Sequence, residues 1–221
     1  MLSQDEAKRI IDKALGYASA EETEVNVSGG ANADTRFALN TATTSGYRDQ
    51  LSLVVTSTYG KRSGTSTTDT LTDESIARTV KAAEAIARLS PEDPETVPNL
   101  GPQTYTPVAA WDDATAAAGP EWRSKIVEAT INPASAKNLV AAGFVQNGGG
   151  FNAIGNSKGL FGYHRATNAS FTTTVRTGIG QEGIGSGWAG AESNRVADVD
   201  GAAAAERAIR KAELSAKPVA I

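Results

Sequence analysis

Apolar positions near the start of the chain recur at the spacing of an amphipathic helix. Ser3 and Glu6 stand in front of them in a capping-box pattern, which predicts where the helix begins. We expect the helix to end between residues 18 and 20. The positions on its apolar face are Ala7, Ile10, Ile11, Ala14 and Leu15.

The pattern then changes to an alternation of apolar and polar residues, which is typical of strands. Strands are predicted at 22–27, 35–39 and 51–57, and the Gly- and Asn-containing stretch 28–32 is interpreted as a turn. Connections this short cannot contain a crossover helix, so we expect antiparallel pairing.

A second helix is predicted after Thr72, a suitable N-cap that precedes Asp73 and Glu74. Ser90-Pro91 ends it. Residues 91–107 then hold five prolines, and this segment is either an extended connector or a hinge between two subdomains. We therefore expect subdomains at 1–90 and 111–221, with 91–110 between them.

The second half repeats the alternation of helical and strand patterns. Helices are predicted at 112–118, 120–130 and 200–215, strands at 139–146, 151–155, 160–164 and 171–176, turns at 147–150 and 156–159, and a Gly-rich loop at 178–190. The fold class that follows is α+β, with antiparallel sheets packed with helices and two subdomains joined by the Pro-rich connector.

Composition narrows the classes of function. The formal net charge is −4, and the 21 Lys and Arg residues are scattered, so no nucleic-acid-binding surface is indicated. No segment approaches the roughly 20 apolar residues of a membrane span, and no signal peptide is evident. With no cysteine, a disulfide framework is excluded. We expect a cytoplasmic protein that binds neither nucleic acid nor membranes.

The residues that usually carry catalysis are scarce. His164 is the single histidine, so no cofactor or metal site and no catalytic residue is expected within this chain. Residues Gly178 to Gly183 match G-x-G-x-x-G, but the glycine-rich sequence after them cannot open a helix. A nucleotide site is therefore disfavoured, although a dinucleotide titration would test it.

Two segments are candidates for facing a substrate. The first is the hydroxyl-rich run Thr65, Ser66, Thr67, Thr68 and Asp69, which could line a cavity or form a solvated turn. The second is the Gly-rich loop with Trp188, which could expose the indole or pack it against a neighbour. Glycine and small hydroxyl side chains would let a ligand approach the backbone of both segments.

Taken in order, several motifs resemble the N-terminal portion of the TldD/PmbA family, also known as modulators of DNA gyrase, and agree with a PmbA-like branch. The match covers nearly the whole chain, although Leu39 stands where the family pattern R-F-A-N-N has Asn. The segments that carry it are 36–40, 60–68, 73–88, 90–95, 141–144, 156–161 and 185–189.

The resemblance implies a subunit of a cytoplasmic metallopeptidase involved in proteolysis or peptide maturation. It implies a homodimer, or a heterodimer with a TldD-type subunit, around a chamber that admits peptide or unfolded protein. The family's H-E-x-x-x-H helix implies a divalent metal, expected to be zinc. That metal would lie in a partner or in a C-terminal domain expected after residue 221. This chain alone is then expected to be inactive, forming chamber wall and dimer contacts; the alternative is a non-catalytic scaffold or regulatory protein.

Overall fold

The structure, a computed structural model, describes residues 1–179 and 185–216. Its helices and strands alternate in blocks along the chain. In order they are α1 (Gln4–Tyr17), β1 (Glu22–Ala38), β2 (Thr41–Tyr59), β3 (Arg62–Thr68), α2 (Asp73–Leu89), α3 (Asp113–Ala117), α4 (Pro120–Ala136), β4 (Val140–Asn156), β5 (Phe161–Arg176), β6 (Ser186–Ser193), a 3₁₀ turn (Val196–Asp198) and α5 (Gly201–Ser215).

The six strands form one antiparallel sheet in the order β3-β2-β1-β4-β5-β6. Thr56 of β2 lies opposite Thr65 of β3, and Thr174 of β5 lies opposite Trp188 of β6. The predicted α+β class, with antiparallel strands packed with helices, is confirmed. Within the described residues, no helix is both long enough and apolar enough to cross a membrane.

The helix starts agree with the caps seen in the sequence. The Ser3 hydroxyl accepts a hydrogen bond from the backbone N–H of Glu6, and the Glu6 carboxylate accepts one from the backbone N–H of Ser3. Thr72 accepts from the N–H of Ser75 at the start of α2. Helix α4 runs to Ala136, beyond the predicted end at residue 130, and contains Pro133.

The predicted turns at 28–32 and 147–150 are wrong, because both stretches lie inside long strands. The glycines there serve close contacts between strands. A Cβ on Gly29 would lie 2.8 Å from the carbonyl oxygen of Gln50, and one on Gly148 would lie 2.2 Å from that of Ala31. The glycines therefore mark where neighbouring backbones come too close for a side chain.

The predicted loop at 178–190 is also wrong in part, because β6 begins at Ser186. Residues 180–184 lie outside the described residues, and so does most of the G-x-G-x-x-G match. The same holds for residues 217–221.

Two compact units collect separate segments of the chain. The first unit contains residues 1–30, 49–109 and 150–165, and the second contains 31–48, 110–149 and the described residues from Ala166 onward. The ranges 1–90, 91–110 and 111–221 are contiguous instead, and as a division into domains they stay a prediction.

Each unit has its own apolar core. In the first unit, Ile11 of α1 and Ile76 of α2 pack with Val25 of β1. In the second unit, Ile126 of α4 and Ala208 of α5 pack with Phe171 of β5. The Pro-rich segment belongs to the first unit, where Asn99 donates its backbone N–H to Glu22 and Leu100 accepts from the side chain of Asn156.

Candidate functional site

A groove of about 490 Å³ lies on the sheet of the second unit. Strand alternation explains its lining, because residues next to buried ones point to the opposite face of the sheet. Phe37 and Phe171 are buried in the core, so Arg36 and Thr172 face the groove. Phe144 of β4 and Trp188 of β6 complete the lining used below.

The sheet beneath the groove is closely packed on its core side. The rings of Phe37 and Phe171 stack with their centroids 6.4 Å apart. A Cβ on Gly143 would lie 2.4 Å from the Phe37 ring and 2.4 Å from the carbonyl oxygen of Thr172. Glycine at this position therefore permits this close packing.

Arg36 and Phe144 form one wall. The guanidinium of Arg36 lies 5.0 Å from the centre of the Phe144 ring, which is a cation–π contact. Arg36 is exposed and Phe144 is half-buried. The wall therefore presents a positive charge that is held in place by an aromatic ring but remains open to a ligand.

Trp188 forms the opposite wall and is 59% exposed. Its backbone is fixed, because its carbonyl oxygen accepts a 2.9 Å hydrogen bond from Lys211 of α5. A Cβ on the next residue but one, Gly190, would lie 3.4 Å from the indole, so the ring leans along the strand over that glycine. The indole thus has a fixed base and an open face.

The groove can bind but shows no catalytic pair. Its described lining combines one cation, two exposed or half-buried aromatic rings and the hydroxyls of Thr43, Thr172 and Thr174. Such a set suits a carboxylate or carbonyl oxygen next to an apolar side chain. Among the described residues, the lining contains no carboxylate or imidazole that could serve as a general base.

The residues do not fit a metal ion either. Within 1–179 and 185–216, no group of three or more His, Cys, Asp or Glu side chains is arranged to hold one. His164 belongs to the first unit, on β5.

The hydroxyl-rich run lies in the first unit, whereas Trp188 lies in the second. The interpretation of the hydroxyl-rich run as a solvated turn is wrong, because Thr65 to Thr68 form the end of the edge strand β3. The Thr65 hydroxyl pairs with that of Thr56 at 3.0 Å, and the Thr68 hydroxyl pairs with that of Ser75 at 3.0 Å. These hydroxyls hold β3 to β2 and α2.

Asp69, directly after β3, lines a second depression of about 650 Å³. Asp49, Gln50 and Leu51 of β2 and Phe151 of β4 share this lining. All of these residues belong to the first unit.

Arg36 and Phe144 were not among the candidates chosen from the sequence. Both belong to motifs that carry the family resemblance, and strand alternation next to the apolar Phe37 and Val145 was the signal that could have placed them on the open face. The sequence could not show that they meet.

Two family models match the chain. The PmbA/TldA metallopeptidase domain 1 matches residues 23–87, and the PmbA/TldA metallopeptidase central domain matches residues 113–216. No curated protein matches the chain.

Solved structures share the fold. TldE from Thermococcus kodakarensis superposes with a TM-score of 0.79 at 18% sequence identity. The match covers 93% of this chain and 47% of the TldE chain. A putative modulator of DNA gyrase from Bacteroides thetaiotaomicron has a TM-score of 0.79 at 15% identity, over 96% of this chain and 50% of its own. Another from Thermotoga maritima has a TM-score of 0.77 at 12% identity, over 93% and 47%.

The chain thus spans about half the length of these structures. The two matching models together cover most of its residues, in the order in which the family has them. The chain belongs to the PmbA/TldD metallopeptidase family.

Proposed function

We propose that this chain is the peptide-binding, non-metal-binding N-terminal part of a cytoplasmic PmbA/TldD-type peptidase subunit. Its role is to hold an extended peptide or unfolded segment during proteolysis or peptide maturation. It contributes chamber wall and dimer contacts, in a homodimer or with a TldD-type subunit.

The groove carries this proposal. Arg36, Phe144 and Trp188 come from three of the segments that resemble the family, and all three line one groove. Family motifs that met only in the core would indicate a structural role alone. Their presence on an open face favours a shared ligand.

The lining matches an extended peptide better than a folded surface. A guanidinium binds a carboxylate or a peptide carbonyl, and an indole face accepts an apolar or cationic side chain. The Thr172 and Thr174 hydroxyls can donate or accept, so they suit a ligand of variable sequence. The Thr43 hydroxyl donates to the carbonyl of Arg36 and can accept from a ligand.

This part of the subunit does not supply the metal. Because the described side chains do not fit a metal ion, a divalent ion, zinc by resemblance, would be supplied by a partner or by a further domain of the subunit. We assign this chain no catalytic step.

A binding measurement tests the groove. Fluorescence anisotropy of labelled unstructured peptides should show about tenfold weaker binding for Trp188→Ala, because exposed aromatic anchors commonly dominate peptide affinity. Arg36→Gln should weaken the binding of peptides whose carboxylates are free more than that of amidated ones.

Matched controls are available in the same unit. Tyr47 is an aromatic residue of β2 that is 72% exposed and absent from the groove lining, and Arg48 next to it is exposed. Tyr47→Ala and Arg48→Gln should leave affinity unchanged. Equal losses in the groove variants and these controls would contradict a specific site.

A further inference from the structure

Strand β3 ends before its partner β2 does. Thr68, the last residue of β3, lies opposite Leu53, whereas β2 begins at Thr41. In the first unit, residues 49–52 of β2 therefore have β1 on one side and no described strand on the other.

The backbone groups on the open side can be identified. The carbonyl oxygen of Gln50 lies 2.8 Å from the position of a Cβ on Gly29, so it is directed towards β1. Because successive peptide groups in a strand point in opposite directions, the N–H and C=O of Asp49 and Leu51 face the open side. No described residue bonds to these groups from that side.

The edge of β6 in the second unit shows how this fold protects an edge. Lys211 donates to the carbonyl of Trp188, Arg207 donates to that of Gly190, and the Ser215 hydroxyl bonds to both backbone groups of Ser186. Such side chains block the addition of another strand. Residues 49–52 have no such cover among the described residues.

The charge beside the open edge sets the direction of an added strand. Of the side chains that line the 650 Å³ depression, Asp49 and Asp69 are carboxylates and none is Lys, Arg or His. Met1 also lines it, so among the described residues the one cation set against these two carboxylates is the α-ammonium of this chain. A strand antiparallel to β2 and continuing the course of β3 would start next to Asp69. Its α-ammonium would then lie next to Asp69, in the depression that Asp49 also lines.

We propose that residues 49–52 of β2 bind the first residues of an extended peptide as an added antiparallel strand, with the peptide's free α-amino group beside Asp49 and Asp69. The peptide backbone bonds to Asp49 and Leu51, and the apolar, half-buried side chain of Leu51 faces the peptide's side chains. This inference rests on the proposal that the protein binds peptides, and it adds which end of the peptide is recognised.

The first test compares a labelled tetrapeptide with its N-acetylated form on the purified protein. Two exposed ion pairs predict about three- to tenfold tighter binding of the free amine at low salt, falling as salt rises. The double variant Asp49→Asn, Asp69→Asn should bind both forms equally. The double variant Asp5→Asn, Glu95→Gln changes the net charge by the same amount elsewhere and should keep the preference.

Amide hydrogen exchange locates the bound peptide. Saturating peptide should slow exchange at the amides of Asp49 and Leu51, which face the open side, and leave Gln50 and Ser52, which face β1, unchanged. Protection confined to other strands would overturn the proposed position.

The outcomes separate the two proposals. Peptide binding that depends on Trp188 but not on the free amine would overturn this inference and leave the groove intact. A preference for the free amine that survives Trp188→Ala and is lost in the Asp49, Asp69 variant supports it. Absence of any peptide binding would overturn both.

Discussion

Leu39 and Asn40 form the turn between β1 and β2 with φ angles of 51° and 58°. Two positive φ angles are the mark of a type I′ hairpin turn, which favours Asn or Gly at both positions. Asn40 suits its position, since its side chain bonds to the carbonyl of Leu139 at 2.8 Å and to the N–H of Ala141 at 2.7 Å. Leu39 is 64% exposed and has no such compensation.

Leu39→Asn should raise the free energy of unfolding by about 1 kcal/mol, because it relieves a left-handed conformation that costs about 1–2 kcal/mol in a branched residue. Urea denaturation measures this change in the free energy of unfolding. Asn40→Ala should lower stability by about 1–3 kcal/mol, since it leaves two backbone groups unpaired. If Leu39→Asn were destabilising, the exposed leucine would have to make a contact that the turn geometry does not show.

Glu84 of α2 holds the segment that follows α1 in place through hydrogen bonds. Its carboxylate is 6% exposed and accepts from the hydroxyl and N–H of Ser19 and the N–H of Ala20, with Arg88 3.7 Å away. Burial raises the pKa of this carboxyl, but the hydrogen bonds from Ser19 and Ala20 and the charge of Arg88 outweigh it, so the pKa lies below its usual value of 4.5.

A lowered pKa makes this contribution depend on pH. The charged carboxylate stabilises the folded state fully above the unfolded pKa of 4.5, and the contribution is lost as pH falls through the lower folded pKa. Glu84→Gln should therefore cost about 1–3 kcal/mol at pH 7 and progressively less below pH about 4.5. A difference that stays constant down to pH 3 would contradict this assignment.

At the scale of elements, a glycine in an edge strand lets a helix pack closely against that strand, once in each unit. A Cβ on Gly64 of β3 would lie 2.2 Å from the backbone nitrogen of Ala87 in α2. One on Gly187 of β6 would lie 2.1 Å from the carbonyl oxygen of Ala208 in α5. In both cases a helix rich in alanine rests directly on an edge strand.

Gly64→Ala and Gly187→Ala should each destabilise by about 1–3 kcal/mol or more, because backbone atoms of the helix must move. Thermal or urea unfolding measures the loss. Gly16→Ala in α1, where a Cβ meets nothing within 4 Å, should instead stabilise by about 0.5–1 kcal/mol. Similar effects for all three substitutions would contradict the contacts assigned to Gly64 and Gly187, which lie in strands, whereas Gly16 lies in a helix.

Local signals explain which elements the sequence predicted well. The caps Ser3 and Thr72 lie within three residues of what they bond, so the helix starts were predictable. The continuity of β1 and β4 was not, because Gly29 and Gly148 contact residues that are distant in sequence. A glycine that relieves a cross-strand contact has the same sequence signature as one in a turn.

At the scale of the whole chain, the order of one helix, three strands and one helix occurs twice, in α1 to α2 and in α4 to α5. The sequence indicated this shared order without a measurable repeat. Trp188 was also predicted as a candidate, but the groove it lines draws on five strands between residues 36 and 188. Only the tertiary fold brings Arg36 and Phe144 to it.

The family assignment leads to a prediction about assembly. If this chain binds peptide and a metal-bearing TldD-type subunit supplies the chemistry, the protein alone should not cleave an unstructured peptide, and the mixture should. Size-exclusion chromatography of the mixture should show a complex. Trp188→Ala should raise KM with little change in kcat, because the groove binds substrate without touching the scissile bond.

The controls distinguish a peptidase subunit from a scaffold. Tyr47→Ala should leave both constants unchanged, and a chelator should abolish cleavage without dissociating peptide from the groove. A complex that forms but cleaves no peptide, when the partner is active with another PmbA-type subunit, would favour the scaffold or regulatory role. Cleavage by this protein alone would contradict the assignment of catalysis to the partner, since its described residues offer no metal ligand set.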